Sequence, residues 1–237
     1  MPDQDITKAL QGTTNKVQIL SPQARQDLEF VILRWSSTGV SPPHSVVVPS
    51  SAEDIVAVIE YATKHKLKIV PVTGGHSPFT PITADTIYLS MQNLKDISLD
   101  EAHGEVSFGG GVLTGEILKA LGDRGWYTCV PNSNSVGMVG ALMGAMHHAT
   151  IGMHGLGSQN IREVTIMPFS MPDGSAPREL KIRKDSDDQD ERRLFHVLCE
   201  AGFGFGVVTS VRLAAWKISD LNAMSTTDRN YTLKHYH

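Results

Sequence analysis

The segment Val72–Phe79, which reads VTGGHSPF, places two glycines, a histidine and a serine directly after a short apolar run. Paired glycines let a backbone bend sharply and approach a ligand, and such a loop after a strand can direct several N–H groups at one anion. The segment has neither the Gly-x-Gly-x-x-Gly pattern nor the Gly-Lys-Ser/Thr of a P-loop. On its own it fits a plain tight turn as well as a phosphate cradle. His76 could be a base, a metal ligand, a covalent anchor or a packing residue.

Other residues with reactive side chains lie about sixty to eighty positions further along the chain. His147, His148 and His154 crowd one region. The chain has no His-Glu-x-x-His motif, and no cysteine or carboxylate stands at metal-ligand spacing near them, so we predict packing histidines and no metal site. Ser133 and Ser135 lie in a polar turn without an evident base. Because the chain also lacks a Gly-x-Ser-x-Gly motif, a hydrolase is disfavoured.

The composition narrows the class of protein. The 237 residues suffice for one large domain or two small ones, and 41% hydrophobic with 19% charged residues is typical of a soluble globular protein. A net charge of −4 and an aromatic content of 6% disfavour binding to nucleic acid or to an anionic membrane. The N-terminal residues do not resemble a signal peptide, no apolar run is long enough to span a membrane, and two cysteines make no disulfide framework. We therefore expect a cytoplasmic protein.

The pattern around the reactive residues predicts the elements that position them. Ser45–Val48 and residues 67–71 read as strands, and between them lies a helix in which Ser50 and Glu53 fit a capping box. Such a strand–helix–strand unit is expected to be parallel and right-handed, with the TGGHS loop following its second strand. Later residues predict strands, a hairpin and helices.

Three loops that contain glycine succeed one another along the chain: TGGHS, then SVGMVGALMG with HGLGSQN, then EAGFGFGVVTS. In this order and at these separations they resemble the FAD-binding domain of the vanillyl-alcohol-oxidase superfamily, the PCMH type, and its berberine-bridge-enzyme-like oxidoreductase branch. The segments IYLSMQNLKDISLD and RLFHVL are also similar to segments of that family. The resemblance implies an α+β fold in which two α/β subdomains cradle FAD. The first is a small strand–helix–strand subdomain, and the second is a larger, mostly antiparallel sheet with flanking helices.

The resemblance also implies how the chain is divided. The expected parts are an N-terminal segment of residues 1–41, a FAD-binding PCMH-type domain of residues 42–214 with subdomains of about 42–102 and 103–214, and a C-terminal tail of residues 215–237. Within the N-terminal segment, residues 21–35 predict a short helix. The polar residues after Trp216 lack periodicity and are expected to be irregular. No counterpart of the family's substrate domain is recognisable after Trp216.

The resemblance assigns residues to the cofactor. The pyrophosphate of FAD is expected on the backbone N–H groups of the TGGHS loop, with further contacts from the other glycine loops. The implied cofactor-binding residues are Thr73, Gly74, Gly75, His76, Ser77, Gly137, Val139, Gly140, Gly144, Gly155, Leu156, Asn160, Ile161, Val207 and Val208. His76 matches the histidine that many relatives bond covalently to the 8α carbon of the flavin. Ser133 matches the cysteine that forms a second link in some relatives, so a double link is not expected.

Three functions remain open from the sequence. The first is an FAD-linked oxidoreductase that oxidises a small organic substrate, such as a secondary metabolite, by hydride transfer to the flavin, with O2 as the acceptor and a homo-oligomer or partner subunit covering the flavin. The second is a non-redox cyclase or isomerase that uses the same pocket. The third is a truncated, inactive flavin-binding remnant. Nucleic acid, membrane and metal are not expected partners of any of them, and the sequence names no catalytic residue.

Overall fold

The computed structural model describes residues 6–8, 10, 18–20 and 32–224, and these form two β-sheets with flanking helices. The strands are β1 (Gln18–Leu20), β2 (Ser45–Val48), β3 (Lys68–Val72), β4 (Thr86–Ser90), β5 (Ile97–Asp100), β6 (Glu105–Gly109), β7 (Trp126–Thr128), β8 (Ile161–Pro168), β9 (Leu180–Arg183) and β10 (Gly206–Lys217). The helices are α1 (Ala52–His65), α2 (Thr114–Gly122), α3 (Met138–Leu142), α4 (Ile151–His154), α5 (Gln189–Ala201) and α6 (Ile218–Met224), with one turn of 3₁₀ helix at Gly157–Asn160.

The smaller sheet has the strand order β1-β2-β4-β3. Strands β2 and β3 both pair with β4 in parallel, as expected for strands joined through a helix, and β1 adds an antiparallel edge. Helix α1 buries the apolar stripe of Ile55, Val58 and Ile59 against this sheet. The small parallel subdomain of the prediction is confirmed, and it places the TGGHS loop directly at the end of β3.

Helix α1 begins one residue later than the sequence suggested. The extended Ser51 caps the helix, not Ser50, and Asp54 is its capping-box partner in place of Glu53. The buried Asp54 carboxylate accepts hydrogen bonds from the N–H groups of Ser50 at 2.8 Å and Ser51 at 3.1 Å, and the N–H of Asp54 donates to the Ser51 hydroxyl. Both candidate pairs have the spacing of a capping box. The one whose carboxylate is buried against the sheet is used.

The larger sheet has the order β5-β6-β10-β8-β9, with β7 pairing to the far end of β10. All of its pairings are antiparallel. Helices α2, α3 and α5 contribute Ile117, Leu142 and Leu198 to one hydrophobic cluster with Phe108 and Val211 of the sheet. The larger, mostly antiparallel sheet with flanking helices is thereby confirmed. The larger sheet begins at β5, a few residues before the subdomain boundary that we expected near residue 102. The division of the chain into domains stays a prediction.

The chain differs from expectation at both flanks. The helix predicted in residues 21–35 lies largely outside the described residues, and residues 32–35 are irregular. After Trp216 the expectation of an irregular tail is wrong for the first residues, because α6 follows β10 without a break. The rest of that tail lies outside the described residues. Among the helices that the structure describes, none has the length and apolar character needed to cross a bilayer.

The capping box of α1 gives a stability prediction. Replacing Asp54 by Ala removes the acceptor of two backbone N–H groups at a buried site, and we expect the free energy of unfolding to fall by about 2 kcal/mol. Urea denaturation followed by circular dichroism measures this change. Glu60→Ala, on an exposed turn of the same helix, is the control and should change stability by less than about 0.5 kcal/mol. Equal losses in both variants would contradict the capping role.

Candidate functional site: a glycine loop between the two sheets

The loop of residues 73–77 leaves β3 and packs directly onto the loop of residues 133–137. A Cβ atom added to Gly74 would lie 2.2 Å from the carbonyl oxygen of Ser135, and one added to Gly137 would lie 2.6 Å from the Cβ of Thr73. Neither distance is compatible with a side chain. The two loops therefore approach backbone to backbone, and glycine at both positions permits it.

The other side of the same loop is fixed by the chain segment before β2. Gly75 has φ +67°, in the left-handed region, and a Cβ there would lie 2.0 Å from the carbonyl oxygen of Leu33. The N–H of Trp35 donates a 2.9 Å hydrogen bond to the carbonyl oxygen of Gly75. The glycine loop is thus held between two other segments of backbone.

The backbone N–H groups of this loop are available as hydrogen-bond donors. Within the part of the chain that the structure describes, none of the backbone N–H groups of Thr73–Ser77 donates a hydrogen bond. Gly74 and Gly75 are nevertheless buried. Native proteins rarely leave buried N–H groups unpaired, and a row of free N–H groups in a turn is a binding site for an anion. The backbone of this loop therefore fits a phosphate or pyrophosphate group.

His76 stands at the edge of this loop with its ring held on two sides. Its Nε2 atom lies 2.9 Å from the hydroxyl oxygen of Ser135, which in turn lies 3.2 Å from the hydroxyl oxygen of Ser133. The indole of Trp35 stacks on the imidazole at a centroid distance of 5.4 Å and an interplanar angle of 19°. Trp35 itself is 75% exposed. The imidazole is accordingly ordered at a site open to solvent.

A short chain of hydrogen bonds ties the loop to the third glycine-containing region. The hydroxyl of Thr73 donates to the carbonyl oxygen of Gly110 at 2.7 Å, and the N–H of Gly110 donates to the carbonyl oxygen of Thr209 at 2.7 Å. Thr209 directly follows Val207 and Val208. Both valine side chains are buried in hydrophobic clusters, so only their backbone atoms remain for a ligand. Their predicted contact with adenine stays a prediction.

The remaining predicted residues lie on or just after α3, in the turn after α4 and at the start of β8. Gly140 and Gly144 are exposed, whereas the side chains of Val139 and Ile161 belong to the hydrophobic cluster of the larger sheet. The side-chain amide of Asn160 donates to the carbonyl oxygens of His154 and Leu156, beside Gly155, and thereby closes the turn. This amide is thus engaged in local structure. Roles in cofactor binding for these residues also stay predictions.

Two of the three clustered histidines are packing residues in the structure. His148 is buried, with Nε2 2.8 Å from the carbonyl oxygen of Gly155, and burial lowers the pKa of its imidazole. His154 lies 3.0 Å from the hydroxyl of Tyr127 and stacks on Trp216 at a centroid distance of 3.7 Å, and burial lowers its pKa too. Within the described residues, no group of three or more His, Cys, Asp or Glu side chains is placed to hold a metal ion.

Three members of the site were not identified from the sequence. Trp35 lies 41 positions before His76 and belongs to no sequence motif that we recognised. Gly110 belongs to a Gly-Gly-Gly run that the sequence indicates only as a turn. Ser135 was considered only as a nucleophile without a base, whereas the structure places it beside His76. Its position two residues before Gly137, in a loop that contacts TGGHS, is the one signal that could have suggested this.

Comparisons with known proteins agree with this geometry. The family model described as an FAD binding domain matches residues 43–175. FAD-linked oxidoreductase anuG of Penicillium roqueforti (strain FM164) is 28% identical over 178 residues, which make up 74% of this chain and 33% of that protein. (R)-6-hydroxynicotine oxidase of Paenarthrobacter nicotinovorans is 29% identical over 187 residues, 78% of this chain and 38% of that protein.

A solved structure shows the same fold. It is glucooligosaccharide oxidase from Acremonium strictum, whose FAD is 6-S-cysteinyl and 8α-N1-histidyl. It matches with a TM-score of 0.73 and 19% identity over 90% of this chain and 42% of that one. This likeness confirms the α+β architecture of two subdomains.

The chain belongs to the FAD-binding domain family whose model covers residues 43–175. The resemblance seen in the sequence and the prediction of FAD as cofactor are both confirmed by this match. The free N–H groups and the glycines of residues 73–77 fit the pyrophosphate of that cofactor. The chain spans well under half the length of the curated relatives it matches, 33% and 38% of the two described above.

The close approach of the two loops gives a second prediction. In Gly74→Ala the added methyl would collide with the backbone of Ser135, and we expect a loss of about 2 kcal/mol in the free energy of unfolding. The variant should also carry less FAD after purification, because the displaced loop binds the cofactor less well. Gly122→Ala, whose Cβ would meet nothing within 4 Å, is the control. A Gly74→Ala protein with unchanged stability and FAD content would show that the loops do not pack as described.

The turn after α3 gives a third prediction. Ala145 has φ +69° and Met146 has φ +43°, so two consecutive residues with side chains occupy the left-handed region. Ala145→Gly should raise the free energy of unfolding by about 1 kcal/mol, because glycine adopts this conformation without strain. The matched variant Ala141→Gly, inside α3, should lower it by about 1 kcal/mol. Urea titrations of both proteins measure the two signs, and a loss in both would refute the assignment of strain.

Proposed function

We propose that this chain is the FAD-binding part of an FAD-linked oxidoreductase of the berberine-bridge-enzyme-like branch. The single observation that carries the proposal is the loop of residues 73–77, whose unpaired N–H groups and His76 lie against the glycine loop of residues 133–137. The names of the relatives support a redox activity, since one is an FAD-linked oxidoreductase and another an oxidase.

The backbone of residues 73–77 binds the pyrophosphate in this proposal. Its N–H groups donate to phosphate oxygens, and Gly74 and Gly75 allow the approach that side chains would prevent. No lysine is required, because several amide dipoles converge on the same anion. The hydroxyl of Thr73 is turned inward to Gly110 and holds the loop in the shape that exposes these donors.

His76 is the covalent anchor of the flavin in this proposal. Its ring lies at the solvent-open edge of the loop and is held by Ser135 and Trp35. The solved structure from Acremonium strictum provides an example of a histidyl link in a protein of the same fold. Ser133 carries a hydroxyl and no thiolate, which supports a single link. The chain's own contribution is therefore to position and retain the cofactor.

The substrate is a small organic molecule, for which a secondary metabolite is our proposal. Bound FAD would supply the redox chemistry, namely acceptance of a hydride from the substrate and transfer of two electrons with two protons to O2. The relatives named above act on 6-hydroxynicotine and glucooligosaccharides, which are small molecules of different chemistry. The described residues of this chain supply no side chain that we assign to catalysis.

A protein surface covers the flavin in this proposal, either a second copy of the chain or a partner subunit. Trp35, which stacks on His76, is 75% exposed, and Phe79, three residues after His76 in the chain, is 90% exposed. Large exposed apolar side chains favour a protein contact. The cytoplasmic location expected from the N-terminal residues likewise stays a prediction.

An absorbance spectrum tests the function and the anchor together. The purified chain should be yellow, and the colour should remain with the protein after acid precipitation. In His76→Ala the flavin should move to the supernatant. His103→Ala, an exposed histidine in the turn between β5 and β6, should behave as the wild type.

The outcomes separate the parts of the proposal. A colourless native protein that takes up no FAD when the cofactor is added would overturn the flavoprotein assignment. Flavin that binds but is released by acid from the wild type would overturn only the covalent link. Bound FAD that no electron donor reduces in air-free buffer would overturn the redox activity.

A further inference from the structure

We propose that Arg34 is the cationic part of the anion site at residues 73–77, and that its charge strengthens the binding of a diphosphate there. The inference deepens the proposed function and rests on it, because the pyrophosphate of FAD is the diphosphate that this site would hold. The backbone N–H groups of the loop carry only partial charges. Arg34 adds a full positive charge from the segment before β2.

Backbone contacts hold Arg34 directly against the loop. A Cβ atom added to Gly75 would lie 2.0 Å from the carbonyl oxygen of Leu33 and 3.1 Å from the Cα atom of Arg34. On the other side of Arg34, the N–H of Trp35 donates a 2.9 Å hydrogen bond to the carbonyl oxygen of Gly75. The position of the Arg34 backbone is therefore fixed relative to the glycine loop.

The side chain of Arg34 remains near the same loop. Its Nη2 atom donates a 2.6 Å hydrogen bond to the carbonyl oxygen of Thr80, three residues after Ser77. The hydroxyl of Tyr88 donates to the carbonyl oxygen of Leu33 at 3.0 Å. Burial raises the pKa of Tyr88 to about 12, whereas the hydrogen bond to Leu33 and the charge of Arg34 act to lower it. The guanidinium is thus close enough to Tyr88 for its charge to act there.

The charge of Arg34 has no counter-ion in the described part of the chain. No carboxylate there lies within ion-pair distance of it, and Nη2 is the only guanidinium nitrogen with an acceptor. Nε is buried without a partner, although all three nitrogens carry N–H donors. A positive charge that is partly withdrawn from water and has no counter-ion destabilises a protein. An anion bound nearby would offset this effect.

Two kinds of donor therefore lie in one region of the molecule. The unpaired N–H groups of residues 73–77 are directional and suit an anion of any charge. The attraction of a guanidinium increases with the charge of the anion, and it acts over a longer distance than a hydrogen bond. A diphosphate carries more than one negative charge at neutral pH. The combination favours a diphosphate over a singly charged anion.

Inorganic pyrophosphate is the probe for this charge. All variants are made in the His76→Ala chain, from which bound flavin can be removed, and calorimetry measures the dissociation constant. Arg34→Gln should raise the dissociation constant about tenfold, the factor expected for loss of one charged partner. Arg34→Lys should stay close to the parent chain. Lys68→Gln is the matched control, since it removes a positive charge from the start of β3, where Lys68 pairs with Asp85.

The salt dependence separates the charge of Arg34 from its hydrogen bond to Thr80. Salt screens an interaction between charges, so the affinity of the parent chain for pyrophosphate should fall as sodium chloride is raised from 20 to 500 mM. In Arg34→Gln this fall should be smaller, because one of the charges is absent. A loop that has only changed its shape would bind more weakly by the same factor at every salt concentration. Circular dichroism verifies that each variant is folded.

The outcomes distinguish this inference from the proposed function, which is tested by binding of FAD to the parent chain. Equal dissociation constants in Arg34→Gln and the parent would overturn the role of Arg34 and leave FAD binding intact. Weakening by one factor at all salt concentrations, or without recovery in Arg34→Lys, would overturn the role of the charge. A parent chain that binds FAD and no pyrophosphate would refute the inference alone, and one that binds neither would refute both.

Discussion

The contact between two backbone loops at Gly74 and Gly137 is the constraint on which the rest of the site depends. The two loops are too close for a Cβ atom between them. This contact fixes the end of β3, in the smaller sheet, against the start of α3, which packs on the larger sheet. Each loop alone would be an ordinary turn. Their contact brings the N–H groups after β3 close to the loop of residues 133–137, where the Ser135 hydroxyl contacts both His76 and Ser133.

The same region explains how two sheets act as one scaffold. The Thr73 hydroxyl reaches Gly110, and Gly110 reaches Thr209 in β10, which is the central strand of the larger sheet. Met167 and Val207 of the larger sheet also pack in the hydrophobic cluster of the smaller one. Polar and apolar contacts therefore converge at one junction. A ligand held there touches elements from both sheets, so its binding stabilises their relative position.

Much of this could be predicted from the sequence, and the failures have physical causes. The glycine loops were recognisable because glycine, the residue without a side chain, is identified directly from the sequence. The capping box was placed one residue early, because Ser50–Glu53 and Ser51–Asp54 have equal spacing and only burial of Asp54 decides. Trp35 was not foreseen, because its contact with His76 is tertiary and has no periodicity. Helix α6 was missed because its seven residues are too few for a pattern.

The stacking of Trp35 on His76 has an optical consequence. With the flavin on His76 as proposed, the indole of Trp35 that stacks on this ring would lie well within the distance at which excited tryptophan transfers its energy to a flavin. Trp126 and Trp216 are at the other end of the larger sheet, where β7 pairs with β10. The ultraviolet emission of the chain thus divides into a component that depends on occupancy and a component that depends on it less. Under the proposed anchor, tryptophan emission would therefore report how much of the protein carries the cofactor.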